Sequence, residues 1–217
     1  MAPLTLVIGN KNYSSWSLRA WLALRHMELP FTEVLVPLDQ PDTRDELEKY
    51  SASGRVPVLR QGELVVWDSL AICEYAAELT GRGWPLDPRA RAVARAVSAE
   101  MHSSFTHLRS LWPMNARARN RRTVMTAALK ADVERIDEIW NDCRSRFAGE
   151  RPWLFGEYSI ADAMYAPVVL RFKTYGAATI SQSARWYMAA VLEDPHLQEW
   201  LQAAQVEPWT IPGDEVG

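Results

Sequence analysis

"VPVLRQGELVVWDS", residues 56–69, is the stretch that decides the fold. It holds two β-rich runs that meet at Gln61-Gly62, a dipeptide suited to a tight hairpin turn. The next residues, "SLAICEYAAELTG" at 69–81, switch to helical period and end on a glycine, the usual helix stop. The residues before 56 supply what the hairpin must join. "LTLVIG" at 4–9 is a short strand, and "FTEVLVP" at 31–37 alternates as a second. Between them Trp16, Leu18, Trp21, Leu22, Leu24 and Met27 recur at helical spacing. "PDTRDELEKYS" at 41–51 is a short polar helix, with Asp42 or Thr43 as its cap. The order is β-α-β-α-β-β-α, which predicts a mixed four-stranded sheet with helices on its faces.

Beyond this unit the pattern changes. "GRGWPLDPRA" at 81–90 carries two glycines and two prolines, as a linker would. Residues 88–115, 121–147, 159–174, 182–192 and 195–204 all have helical period, and Pro113 should end or kink the first of them. The expected fold class is α/β plus all-α. A first domain spans residues 1–80, a linker 81–87 and an all-helical domain 88–217. Trp209 and Ile211 should pack the start of the tail onto the bundle.

The 217 residues are 48% hydrophobic and 24% charged, an ordinary globular balance. A net charge of −3 gives no general pull toward nucleic acid or an anionic membrane. The basic run Arg117–Arg122 reads as a solvated corner between helices. Cys73 and Cys143 lie among apolar residues at helical period, so both are expected to be core thiols. No signal-peptide pattern, membrane-length apolar run or metal-ligand spacing is visible, and a cytoplasmic location is expected. Most of the ten tryptophans should be core or interface residues.

Three places carry polar chemistry. "NYSSWSLR" at 12–19 sets three hydroxyls at the junction of the first strand and first helix. They could cap the helix, or hold a ligand against its free N–H groups and dipole. Asp68-Ser69 opens the helix after the hairpin and poses the same choice. Ser159 and Asp162 stand at capping-box spacing in "YSIADAM", a folding signal.

Four motifs, in this order, resemble the soluble glutathione transferases: "SSWSLRAWLAL", "GRVPVL", "VVWDSLAICEYAAE" and "GEYSIADAMYAPVV". The first is most similar to the serine motif of the zeta class, with Trp16 where that class has cysteine. The resemblance implies a thioredoxin-like first domain, a helical second domain and a homodimer. It implies glutathione as co-substrate, with no metal. Ser14 is then the first candidate to activate the thiol and Ser15 the second, with Trp16 either walling the site or facing the core. Val56, before a cis Pro57, would pair with the tripeptide backbone, and Asp68 and Ser69 would take its γ-glutamyl end. Gln40 and Arg55 could reach the glycyl end. His102, Thr106 and Arg109 form one stripe of a long helix and could line the second-substrate pocket, while Arg19 is expected to sit in a structural ion pair.

The expected activity is ionisation of the glutathione thiol for attack on a small apolar electrophile, as in detoxification. Isomerisation of the maleylacetoacetate type and a non-catalytic binding role are the alternatives. Thiol–disulfide exchange is disfavoured, since it usually needs a cysteine at the first-helix start.

Overall fold

The computed structural model describes residues 2–177 and 179–217. Four strands, β1 (Leu4–Ile8), β2 (Phe31–Leu35), β3 (Val58–Gln61) and β4 (Leu64–Trp67), form one sheet in the order β2-β1-β3-β4. β1 runs parallel to β2 and antiparallel to β3, and β3 pairs antiparallel with β4. The parallel pair needs a crossover, which α1 (Ser15–His26) provides; the antiparallel pair needs only the Gln61–Leu64 turn.

The side-chain period of β1 divides the core. Leu4, Leu6 and Ile8 belong to the large cluster that includes α1 and α3 (Ser69–Thr80). Val7 points the other way and packs with Val36, Val58 and Leu47 of α2 (Thr43–Glu48). The expected mixed sheet with helices on both faces is therefore present. α2 starts at Asp42, whose side chain makes no cap bond; the Thr43 hydroxyl instead accepts from the Gln40 N–H. Gly81 ends α3 in the left-handed conformation, φ 67°, which a glycine adopts at little cost.

From Pro88 the chain is helical: α4 (Pro88–Ser103), α5 (Thr106–Leu111), α6 (Ala127–Cys143) with a π-helical extension to Ala148, α7 (Ile160–Tyr175), α8 (Gln182–Glu193) and α9 (Pro195–Gln205). α7 is buried along almost its whole length and packs on α1, α4 and α8. This thioredoxin-like sheet unit with a helical partner matches the expected architecture.

Two expectations need correction. The helix proposed for 88–115 ends at Leu111, just before Pro113 as expected, but it is also broken at Ser104-Phe105. Phe105 takes φ 60° with its ring buried, and α5 starts after it as a separate helix. The helix proposed from 121 begins only at Ala127, capped by Thr126. The segment before it is not a solvated corner. Arg117 donates to the Glu207 and Trp209 carbonyls, and Arg121 binds Glu215 at 2.5 Å. Glu207 in turn accepts the N–H groups of Lys11 and Asn12, and Tyr13 donates to Glu215. The basic run thus ties the C-terminal tail to the loop that leads into α1.

Cys73 and Cys143 are buried free thiols, as expected. Burial pushes both up to about 12, so neither is a thiolate near neutrality.

Candidate functional site

A cleft of about 300 Å³ opens between the N-terminal turns of α1 and α3 and the end of α4. Trp16, Arg55, Val56, Pro57, Asp68, Ser69 and His102 line it, joined by Ser53 and Trp67. Seven of the site residues proposed from sequence thus meet in one place. The Val56–Pro57 bond is cis. Val56 precedes β3, and among the described residues its N–H and C=O make no hydrogen bond, leaving both for a ligand backbone.

The start of α3 is built around Asp68. Its φ of 78° turns the chain sharply out of β4, and one carboxylate oxygen accepts the N–H groups of Leu70 and Ala71. The other oxygen faces His102 Nε2 at 3.1 Å, across the boundary between the two halves of the chain. Ser69 is 1% exposed, yet its hydroxyl has no partner. An unpaired hydroxyl at a buried helix start, beside a carboxylate oxygen held only by a half-buried histidine, can receive a ligand carrying both charges.

At the start of α1 the two serines differ. Ser14 is the N-cap: its Oγ accepts the Ser17 N–H at 3.3 Å, and its hydroxyl donates to Ser17 Oγ at 2.7 Å. Ser15 Oγ accepts from Arg171 Nη2 at 3.3 Å. Both serines are buried, and neither lines the cleft; Trp16 does. Trp16 walls the site and meets the His102 ring edge-on at 5.2 Å. Its ring also packs against the guanidinium groups of Arg19, 4.3 Å away, and Arg109, 5.5 Å away.

Three proposed residues lie elsewhere. Gln40 turns its amide back onto the Leu38 and Asp39 carbonyls. Thr106 is exposed, because the break at Phe105 swings it off the stripe it would share with His102 in one helix. Arg109 donates to the Met101 and His102 carbonyls at the end of α4, under Trp16 rather than in the cleft. Arg19 is not in an ion pair. It is fully buried, and among the described residues none of its three nitrogens has a hydrogen-bond partner. Burial, then Arg171 and Arg109, pull its guanidinium down to about 9. Ser53 and Trp67 were missed by sequence reasoning; the tryptophan before Asp68, on an edge strand, was the available signal.

Ser159 and Asp162 form the capping box at the start of α7. Asp162 also accepts the Leu154 N–H at 3.1 Å and the Ser159 N–H at 2.8 Å. Burial nevertheless raises its carboxyl to about 6.

Comparison with known proteins agrees with this fold. Residues 13–79 match the glutathione S-transferase N-terminal domain, and residues 126–203 match the C-terminal domain. The chain belongs to the glutathione transferase family. A glutathione transferase homolog from Burkholderia GL BGR1, solved with bound glutathione, superposes with TM-score 0.71 at 23% identity, over 95% of this chain and 100% of that one. The Tau class glutathione S-transferase from mango, Mangifera indica, gives 0.70 at 19%, covering 94% and 96%. Among curated relatives, glutathione S-transferase hmp2 of Hypomyces subiculosus is 34% identical over 71 residues, 32% of this chain and 34% of its own length. A dichloromethane dehalogenase of Methylorubrum extorquens is 37% identical over 54 residues, 24% of this chain and 19% of its own. The matched regions thus span only about a fifth to a third of those relatives.

Proposed function

We propose that this chain is a glutathione transferase that seats glutathione in the cleft and directs its thiolate at a small electrophile. The observation that carries this reading is the set of groups converging there: both backbone groups of Val56 and the Ser69 hydroxyl, none of them hydrogen-bonded among the described residues, and the Asp68 oxygen that His102 meets at 3.1 Å. The γ-glutamyl ammonium meets Asp68, joining or displacing His102. Its carboxylate takes the Ser69 hydroxyl and the N–H groups of the first turn of α3. The cysteinyl unit pairs with Val56 in an antiparallel bridge, and Arg55, exposed on the rim, suits the glycyl carboxylate. The thiol then faces the start of α1, where free N–H groups, the helix dipole and a serine hydroxyl favour the thiolate. Holding that sulfur beside a bound electrophile turns a bimolecular reaction into one within a complex.

The two buried cysteines, held as thiols, support transfer over disulfide exchange. An apolar electrophile, a homodimer and a cytoplasmic setting belong to the same reading and rest on the family. The test is calorimetric titration with glutathione, followed by turnover on a panel of halogenated, epoxide and unsaturated carbonyl electrophiles. The reading expects saturable binding and glutathione-dependent loss of at least one electrophile. A chain that binds no glutathione at millimolar concentration is a binding protein on the same fold instead.

A further inference from the structure

Asp68 and His102 come from different halves of the chain and meet at 3.1 Å in the wall of the cleft. We propose that His102 is a placeholder for the ammonium group of glutathione. It holds one Asp68 oxygen until the ligand binds, gives it up to the ammonium, and reclaims it as the product leaves. This rests on the glutathione reading above and names the residue that sets how tightly that site holds its ligand.

The two oxygens of Asp68 have separate duties. Oδ1 accepts the N–H groups of Leu70 and Ala71 at 2.9 and 3.3 Å, and it cannot turn to a ligand without uncapping α3. Oδ2 is the oxygen left for the cleft, and His102 Nε2 faces it. An ammonium nitrogen held by a carboxylate stands about 2.7–2.9 Å from its oxygen. The imidazole nitrogen therefore fills a position that the ligand needs.

The imidazole is lightly held in that position. Its other ring nitrogen, Nδ1, is shielded from solvent and among the described residues has no hydrogen-bond partner. Stranding a polar nitrogen in this way is unfavourable. A turn of the ring toward solvent, which already reaches 27% of the side chain, gives Nδ1 a partner and frees the Asp68 oxygen. The backbone beneath stays fixed, because Arg109 Nη1 donates to both the Met101 and His102 carbonyls at 3.3 Å. The motion is thus one of the side chain, past the Trp16 ring that it meets edge-on, and not of α4.

Glutathione competes well for the oxygen. Its ammonium carries a full charge, and its carboxylate is anchored next door at the Ser69 hydroxyl, so the ammonium is delivered to Asp68 at high local concentration. A site whose acceptor is occupied part of the time binds with its affinity reduced by that fraction. The conjugate keeps the same ammonium, so the returning imidazole also helps it leave. His102 is in this sense a positioning residue that acts through Asp68.

The experiment is calorimetry on wild type, His102→Phe, His102→Gln, Asp68→Asn and the double variant Asp68→Asn with His102→Phe, each checked by a melting curve. Phenylalanine keeps a ring against Trp16 but has no nitrogen, and glutamine keeps an N–H donor. The probes are glutathione, S-methylglutathione as a conjugate, and deaminoglutathione, which lacks the ammonium. His102→Phe should bind glutathione and S-methylglutathione about twofold to fivefold more tightly, as expected for removal of a partly exposed competing pair. His102→Gln should fall between it and wild type. S-methylglutathione should also dissociate about twofold or more slowly from His102→Phe in stopped flow. Deaminoglutathione affinity should stay within about 1.5-fold, and adding His102→Phe to Asp68→Asn should change glutathione affinity by less than about 1.5-fold. The proposal is overturned if the folded His102 variants bind glutathione no more tightly than wild type. It is also overturned if they gain equally for deaminoglutathione, or if the gain persists without the Asp68 carboxylate. A wild type that binds none of the three compounds removes the glutathione reading as well, whereas a wild type that binds glutathione with no response to His102 removes this proposal alone.

Discussion

Two helix starts in this chain use the same residue types and end in opposite states. At α7, Ser159 and Asp162 satisfy each other and the surrounding N–H groups, all of them buried. At α3, Asp68 caps the helix and Ser69 is its first residue, yet among the described residues the Ser69 hydroxyl has no hydrogen-bond partner and an Asp68 oxygen turns outward to His102. The first arrangement is closed and the second is open. A buried polar group without a partner costs about 1–3 kcal/mol, so a chain that keeps one at a cleft holds it ready for a ligand. The start of α1 repeats the distinction within one turn: Ser14 is closed onto Ser17, whereas Ser15 is open on its donor side.

The comparison breaks most visibly at the closed end. Asp162→Ala strands the N–H groups of Leu154 and Ser159 and should cost about 2–4 kcal/mol of stability in denaturant unfolding. The glutathione affinity of the folded fraction should stay unchanged. Asp162 also makes this end pH-sensitive. Its carboxyl is raised to about 6, so the fold favours the protonated form. Its contribution is fully present below the ordinary carboxylate range and is lost as pH rises through about 6. Asp162→Asn, which cannot ionise, should therefore gain stability relative to wild type between about pH 4 and pH 7; melting curves at both ends of that window measure it.

At the open end the effect moves from stability to binding. Asp68→Asn removes the charge facing the ligand ammonium but keeps a side-chain oxygen for the cap. It should weaken glutathione about tenfold to a hundredfold by calorimetry and shift melting little, since the His102 pair it loses is partly exposed. The smallest effect belongs outside the cleft. Thr106→Ala should leave glutathione affinity and turnover within about twofold of wild type, because Thr106 is exposed on a separate helix.

The legibility of the sequence follows the same division. The βαβαββα order could be read because residues 4–9 and the hairpin are β-rich runs, residues 31–37 alternate, and α1 carries a helical apolar pattern. The sheet buries those faces as the pattern demands. Val56, Pro57, Asp68 and Ser69 could be placed together because their motifs resemble those of glutathione transferases, which the resemblance sets around one ligand. The break at Phe105 could not be read: apolar residues continue at helical spacing through it, and a left-handed phenylalanine leaves no mark in composition. That break removed Thr106 from the site and turned Arg109 beneath Trp16. The arginine cluster was also hidden. Arg19 and Arg171 come together only through tertiary packing of α1 on α7, and a buried arginine is ordinarily assumed to have a carboxylate partner. Trp16, which stands where the resembling motif has cysteine, is the residue that screens them from the cleft and forms its wall.

The most direct test sets the two serines against each other by titrating glutathione calorimetrically into wild type, Ser69→Ala and Ser159→Ala, with a melting curve for each. The account predicts that Ser69→Ala binds about fivefold or more weakly at an unchanged or higher melting temperature, whereas Ser159→Ala melts lower and binds as wild type does. Equal binding by all three proteins, or a stability loss in Ser69→Ala matching that in Ser159→Ala, would contradict it.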